Sequence, residues 1–131
     1  MQRVTGIGGI FIQSPDPAAL RAWYQRHLGL DVLDWGGVVF RWQTPERPEP
    51  EGATVWNVFE AGSPYFAPST APFMVNYRVA DLHALLALLR SEGCTVDDKT
   101  DESALGKFGW VMDPDGNRVE LWQPPGAAVP A

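Results

Sequence analysis

Cysteine and histidine are nearly absent from this sequence, and it contains no long apolar run. Cys94 is the only cysteine, and His27 and His83 are the only histidines among 131 residues. A single cysteine excludes an internal disulfide, which suits a reducing compartment. No apolar stretch approaches the roughly 20 residues that a membrane-spanning helix requires. These absences lead us to expect a cytoplasmic protein without a membrane partner.

Positive charge is also scarce. The chain has 10 Lys and Arg residues against 16 Asp and Glu residues, and its formal net charge at pH 7 is −6. Because nucleic-acid binding needs a basic face, this excess of carboxylates argues against a nucleic-acid partner. A hydrophobic content of 45% over 131 residues is enough to build one proper core. We therefore expect a single domain over residues 1–131.

What the sequence does contain is an internal repeat. The stretches Gly9–Asp16 and Met74–Asp81 lie 65 positions apart, and each precedes an apolar helical pattern that ends at a glycine, Gly29 or Gly93. Equal spacing of this kind is typical of one supersecondary unit used twice. Equivalent side chains of two such modules should converge on one cleft. The expected divisions are module one over 4–61, module two over 72–123 and a flexible tail over 124–131.

The local patterns predict a strand, a helix and three further strands in each module. Asp16 and Asp81 are the expected helix N-caps, and Gly29 is the expected end of the first helix. Gly36-Gly37 is a two-residue hairpin signal, and Asp113–Gly116 is a strong turn sequence. The expected strands are 7–13, 32–35, 38–42, 53–60, 73–79, 95–97, 107–112 and 118–123.

The segment 106–122, GKFGWVMDPDGNRVELW, contains the pattern Asp-Pro-Asp-Gly-Asn-x-x-Glu-Leu. Together with the βαβββ repeat, it resembles the glyoxalase, bleomycin-resistance and extradiol-dioxygenase superfamily, also called the vicinal oxygen chelate (VOC) superfamily. The resemblance covers about residues 4–123. It implies an α+β fold in which two paired βαβββ modules form a curved sheet around a cleft. It also implies a homodimer, since dimers are common in this superfamily.

Metal-dependent members of this superfamily carry four ligands, usually His, Glu, His and Glu, on the first and fourth strands of each module. In this sequence the four positions fall on Gly9, Asn57, Met74 and Glu120, and only Glu120 matches. Glycine has no side-chain donor, and a methionine thioether is too soft for Zn²⁺, Ni²⁺ or Fe²⁺. A catalytic zinc site normally has three protein ligands. We therefore expect no divalent metal and no other cofactor.

Strand parity indicates which other side chains face the cleft. Residues two positions apart along a strand share a face, and Trp110 is expected to join them from a neighbouring strand. A mixture of aromatic and polar side chains is typical of a small-molecule site. The candidate ligand-binding residues are Phe11, Asn57, Phe59, Met74, Asn76, Arg78, Trp110 and Trp122, and the candidate catalytic residue is Glu120.

Other interpretations of these residues stay open at this point. The aromatic side chains could simply fill the core of a curved sheet. Arg78 and Glu120 could form an internal ion pair that satisfies both groups without a ligand. The linker aromatics Tyr65-Phe66 could pack across a dimer interface, which adds to the expectation of a homodimer, or they could cover the core of their own chain.

Two functions fit the resemblance and these residues. The first is bleomycin-resistance-like binding of a small organic molecule in the cleft, without metal. The second is a glyoxalase-type lyase or isomerase, or a dioxygenase-like enzyme, in which Glu120 is a general base or a metal ligand. A carboxylate acts as a general base if burial raises its pKa toward the working pH.

Overall fold

The computed structural model describes residues 3–43, 46 and 52–126. In this part of the chain there are two helices, eight strands and one 3₁₀ turn over Pro64–Phe66. The helices are α1 (Pro17–Leu28) and α2 (Leu82–Ser91). The strands are β1 (Val4–Ser14), β2 (Val38–Arg41), β3 (Ala53–Glu60), β4 (Phe73–Val79), β5 (Thr95–Val96), β6 (Asp101–Ser103), β7 (Gly106–Met112) and β8 (Arg118–Gln123).

The strands form one mixed sheet in the order β2-β3-β1-β4-β8-β7-β5, and β6 pairs with β7. At its centre, the first strands of the two modules, β1 and β4, lie antiparallel. Outward from them, β3 pairs with β1 and β8 pairs with β4, and both pairings are parallel. The two halves of the sheet are therefore related as the sequence repeat predicts. The fold is α+β, with a curved mixed sheet built from two paired modules, as expected.

The repeated sequence signals produce the same local structure in both modules. The Asp16 carboxylate caps α1 by accepting a hydrogen bond from the Ala19 N–H, and Asp81 caps α2 by accepting one from the Ala84 N–H. Gly29 follows α1 with a φ of 70°, in the left-handed region that glycine adopts without strain. Both predicted N-caps and the predicted end of the first helix are confirmed.

Module one has one strand fewer than predicted, because residues 32–35 do not form a strand. The Gly36 N–H donates to the Leu33 carbonyl at 2.8 Å, and the Leu33 N–H donates to the Gly37 carbonyl at 2.9 Å. The turn thus begins at Leu33, ahead of the two glycines, so most of the residues predicted to form a strand over 32–35 lie in the turn instead. Module two gains the short strand β6, which was not predicted. From position 127 onward, the expected flexible tail lies outside the described residues.

The helices pack on one face of the sheet, and aromatic residues cover the other. α2 buries Leu82, Leu85 and Leu86 against the sheet, whereas no residue of α1 is fully buried. On the opposite face, Phe66, Met74 and Trp110 form a separate buried cluster; Phe11, Phe59 and Phe108 pack against it. That second face contains the predicted site residues.

Neither helix among the described residues is both long and apolar enough to cross a membrane.

Candidate functional site

Four predicted positions form one row across the centre of the sheet. Gly9 of β1 pairs with Asn76 of β4, Asn76 pairs with Glu120 of β8, and Glu120 pairs with Trp110 of β7. Residues that are paired directly across strands project to the same side. The register therefore places Asn76, Glu120 and Trp110 beside one another on the face opposite the helices.

A second row is the repeat equivalent of the first. Phe11 of β1 pairs with Asn57 of β3 and with Met74 of β4. The Phe11–Asn57 pair in module one thus corresponds to the Asn76–Glu120 pair in module two. Only module two has an acid at this position, so the site is asymmetric although the sheet is pseudo-symmetric.

Glu120 is the centre of a buried hydrogen-bond network. It is 1% exposed, and its Oε1 accepts a hydrogen bond from Asn76 Nδ2 at 2.6 Å. Its Oε2 accepts one from Trp110 Nε1 at 2.9 Å and another from the Tyr65 hydroxyl. All three donors are neutral, and they come from β4, β7 and the inter-module linker. The network therefore joins three separate segments around one carboxyl group.

The surroundings of this carboxyl group change its acidity. Burial raises the pKa of Glu120, and the hydrogen bonds from Tyr65, Asn76 and Trp110 act in the opposite direction without cancelling the rise. Burial also raises the pKa of Tyr65, and the nearby charge of Glu120 adds to that rise. The Tyr65 hydroxyl consequently keeps its proton and remains a donor, while Glu120 takes up a proton more readily than an exposed glutamate.

The linker between the modules covers this network. Phe66 is 1% exposed and packs with Met74 and Trp110. The Tyr65 ring stacks on Phe59 with 5.5 Å between ring centroids and meets Trp110 edge-on at 6.3 Å. Tyr65 was not predicted as a site residue. The aromatic pair Tyr65-Phe66 in a proline-rich linker indicated that the linker is packed, but it did not indicate that Tyr65 contacts Glu120.

Tyr65 and Phe66 therefore cover the core of their own chain. This outcome agrees with the interpretation that the linker covers its own chain, so Tyr65 and Phe66 no longer argue for a dimer interface. The homodimer expected from the superfamily stays a prediction.

Gly8 lies in a bulge of β1, since Ile7 pairs with Tyr77 and Gly9 already pairs with Asn76. A Cβ atom on Gly8 would lie 2.3 Å from Asn76 Oδ1 and 2.8 Å from the Trp122 ring. Glycine is therefore required by a close approach, as its place in the strand indicated. The Oδ1 atom of Asn76 is buried and has no hydrogen-bond partner among the described residues.

Two predicted polar residues do not reach Glu120. The Arg78 guanidinium lies over the Trp42 ring, 5.4 Å from its centroid, and the Asn57 Oδ1 accepts a hydrogen bond from the Val58 N–H at 2.8 Å. Within the described part of the chain, Arg78 is not an ion-pair partner of Glu120. The alternative of an internal Arg78–Glu120 ion pair is therefore wrong, because each group is held elsewhere.

The remaining aromatic candidate, Trp122, lies one row away from Glu120 and beside Arg78. It stacks on Phe108 with 6.2 Å between centroids, and its Nε1 donates to the Leu105 carbonyl at 2.8 Å. Of the candidate residues, the structure places Asn76 and Trp110 in contact with Glu120. Phe11, Phe59 and Met74 lie in the adjoining aromatic cluster.

A cavity of about 190 Å³ shares Trp110 with the network. On its wall, the Arg118 guanidinium lies 4.7 Å from the Trp110 ring centroid and donates to Asp97 at 3.2 Å. A larger groove of about 520 Å³ runs along α1. Glu120 lines neither of them. Glu120 is 1% exposed, and the Tyr65 hydroxyl donates to it from the linker.

The residues at the superfamily's metal positions do not fit a divalent ion. Gly9 has no donor, Met74 offers sulfur, and the Asn57 Oδ1 is bonded to its own backbone neighbour. Glu120 has both oxygens engaged by neutral donors. Over the described residues, 3–43, 46 and 52–126, three or more His, Cys, Asp or Glu residues nowhere cluster as a metal site would need.

Solved structures with the same fold include methylmalonyl-CoA epimerases. A variant of the Streptomyces coelicolor epimerase in complex with 2-nitronate-propionyl-CoA is 19% identical, has a TM-score of 0.69, and the match covers 93% of this chain and 99% of that one. The Mycobacterium tuberculosis epimerase is 20% identical, with a TM-score of 0.63 and coverage of 95% and 91%. These likenesses show the fold alone.

A search of curated protein sequences gave no match. The sequence profile of the family described as a glyoxalase-like domain does match, over residues 9–122. That span runs from the first predicted metal position in β1 to the end of the DPDGN hairpin, and it includes both modules and the linker that carries Tyr65. The chain therefore belongs to the glyoxalase-like domain family of the VOC superfamily.

Proposed function

We propose that this protein binds a small organic molecule at Glu120, on the aromatic face of its sheet, without a metal ion. The observation that carries the proposal is the Glu120 carboxyl group, which is 1% exposed and held by three neutral donors. Burial of an acid without a cation partner disfavours its charged form and lowers the free energy of unfolding. A glutamine could keep these hydrogen bonds without a buried acid.

Residues that lower stability and converge in an aromatic surrounding are candidates for function. The Glu120 network meets both conditions, since it lies against the cluster of Phe66, Met74 and Trp110. The related fold accepts organic ligands, because the Streptomyces coelicolor epimerase was solved with a propionyl-CoA analogue. At 19% identity, that ligand does not transfer to this chain.

A second candidate function is proton transfer to or from carbon by a glyoxalase-type lyase or isomerase. The raised pKa of Glu120 favours it, because a general base works best when its pKa lies near the working pH. The Tyr65 hydroxyl and the Asn76 amide now donate to this carboxyl group, and they would have to turn from it to donate to an oxygen of the substrate.

Binding is tested by thermal-shift screening of a library of small amines, phenols, amides and carboxylic acids, followed by titration calorimetry. Compounds that bind the wild type should lose at least about tenfold in affinity with Glu120→Gln, which keeps the size of the side chain. Glu92→Gln is the matched control, because Glu92 is exposed and pairs with Arg3 on the surface. A library without binders, or binders indifferent to Glu120→Gln, would refute the proposal.

Two further measurements separate the candidate functions and test metal independence. In D₂O, an enzyme of the proposed class exchanges a carbon-bound proton of its ligand for deuterium, whereas a binding protein leaves the NMR signal of that proton intact. Elemental analysis of the purified protein should give no stoichiometric Zn, Ni, Mn or Fe. About one metal ion per chain, lost with Glu120→Ala, would contradict binding without metal.

A further inference from the structure

The side chain of Tyr65 occupies its place as a small aromatic ligand would. Its ring lies nearly parallel to Phe59, with an interplanar angle of 8°, and perpendicular to Trp110, at 90°. Its hydroxyl donates to Glu120 Oε2. The surrounding residues thus contact a phenol on its face, on its edge and at its hydroxyl group, which are the contacts that define a specific aromatic site.

Tyr65 is also the member of the network that is easiest to remove. It is 37% exposed, whereas Asn76 is 2% and Trp110 is 7% exposed. Its neighbour Phe66 is 1% exposed and anchors the linker independently. A rotation of the Tyr65 side chain therefore opens the space without unpacking the linker.

The backbone around Tyr65 is suited to this exchange. The turn that carries it is only three residues long, Pro64–Phe66, and it follows Gly62, which has a φ of 81°. The Ser63 Oγ accepts a hydrogen bond from the Tyr65 N–H at 3.3 Å. The main chain is thus held by local contacts, and the Tyr65 hydroxyl makes its hydrogen bond to Glu120 from a side chain that borders solvent.

We propose that the space filled by Tyr65 is the subsite for the ring of the ligand, and that the ligand is an aromatic molecule bearing a hydroxyl or amino hydrogen-bond donor. On binding, this ring replaces the Tyr65 ring between Phe59 and Trp110, and its donor replaces the Tyr65 hydroxyl at Glu120. This inference rests on the proposed function and names its ligand class.

The chemistry of the space excludes other classes. A carboxylic acid or phosphate would bring a second negative charge against Glu120, and like charges in a buried site repel strongly. A purely aliphatic or aromatic hydrocarbon would not replace the hydrogen bond from Tyr65, and Glu120 Oε2 would keep the one from Trp110 alone, which makes such a ligand less favourable in a buried site. An aromatic ring with a single donor satisfies both the stacking surface and the carboxyl group.

The test uses p-cresol, the side-chain analogue of tyrosine, with toluene as the probe that lacks the hydroxyl. Removal of the competing ring in Tyr65→Ala should let p-cresol bind at least about tenfold more tightly than to the wild type, as measured by titration calorimetry. Toluene should bind Tyr65→Ala at least about tenfold more weakly than p-cresol does. Tyr65→Phe keeps the ring but loses the hydroxyl, so its p-cresol affinity should lie between those of Tyr65→Ala and the wild type.

Trp23→Ala is the control, because Trp23 is an exposed aromatic residue on α1, outside the network. It should leave p-cresol affinity at the wild-type value. Equal affinities of the wild type, Tyr65→Ala and Tyr65→Phe for p-cresol, or equal affinities of p-cresol and toluene for Tyr65→Ala, would overturn this inference. If library compounds still bind through Glu120 in that case, the proposed function survives; if nothing binds, both fall.

Discussion

At the level of single residues, Glu120 and Asn76 form a pair whose hydrogen bonds an amide could reproduce. In Glu120→Gln, the new amide oxygen can accept from Tyr65 and Trp110, where Glu120 Oε2 now accepts. The new amide nitrogen can donate to Asn76 once the Asn76 amide has turned over. The variant therefore keeps all three contacts and removes the buried charge, so it suits experiments that must retain the fold.

This gives a prediction about pH. Below about pH 4.5, the ordinary pKa of a glutamate, Glu120 is protonated in both the folded and the unfolded chain. As the pH rises, the unfolded chain releases this proton first, because burial raises the pKa in the folded state, and the free energy of unfolding falls. Glu120→Gln lacks this loss. The free energy of unfolding of Glu120→Gln, measured by urea unfolding, should therefore exceed that of the wild type by more at pH 7 than at pH 4.

Glu92→Gln supplies the opposite sign as a control. A hydrogen bond from Arg3 lowers the pKa of Glu92, so ionised Glu92 stabilises the fold above about pH 4.5 and loses this effect in acid. The Glu92 variant should therefore lose a little stability relative to the wild type at pH 7 and less at pH 4, and nothing once the pH is below the lowered pKa of folded Glu92. An advantage of Glu120→Gln that is equal at both pH values would show that burial does not raise the pKa of Glu120.

The sequence predicted the centre of the site better than its cover. Parity along β4 and β8 placed Asn76 and Glu120 on one face, because alternation is a local property of strands. Tyr65 could not be assigned in this way, since it lies outside the strands and its contact with Glu120 spans 55 positions. Arg78 was assigned to the correct face, but its contact Trp42 lies just after β2, where strand alternation gives no direction.

At the level of secondary-structure elements, the two helices start alike and pack differently. Both begin at an aspartate that caps the helix. α2 then buries three leucines, whereas α1 buries no residue completely. The repeat in sequence therefore specifies the beginning of each helix, and tertiary packing decides how much each one contributes to stability.

Leucine truncation should reveal this difference. Leu86 is 1% exposed and packs on Leu82, Leu85 and Leu121, so Leu86→Ala should lower the free energy of unfolding by about 2–5 kcal/mol. Leu20 lies at a half-buried position of α1, so Leu20→Ala should lower the free energy of unfolding by clearly less. Urea unfolding of both variants measures the two losses. Equal losses would mean that α1 is packed more tightly than its exposure indicates.

The strand predicted at residues 32–35 was wrong for a physical reason. A glycine pair predicts a two-residue hairpin only if both flanking segments are free to pair. Here the turn starts at Leu33, and Gly36 takes a φ of 96° within it. The positive φ was readable from the sequence, but the position of the turn relative to the glycines was not.

At the level of the whole molecule, the repeat determines most of the architecture. Two copies of one module place β1 and β4 together at the centre, and their parallel partners follow outward on each side. The sequence could predict this because a spacing of 65 positions is a global signal that survives local errors, such as the missing strand. The sequence also placed the one acid of these equivalent positions at Glu120, but it could not predict that Tyr65 of the linker would donate to it.

The exposed apolar side chains of module one are relevant to the predicted homodimer. Module one leaves several large apolar side chains exposed, among them Phe40 at 45% on the outermost strand, β2. An outer strand offers unpaired backbone groups, and with an apolar side chain it favours pairing with a second chain. We expect sedimentation equilibrium to give twice the chain mass of 14.4 kDa. Phe40→Glu should shift the protein toward the monomer, because it places a charge at this edge.

Leu105→Glu is the control, since Leu105 is 70% exposed in module two and the added charge is the same. A wild-type monomer at high micromolar concentration would contradict the dimer, and a dimer unaffected by Phe40→Glu would place its interface away from β2.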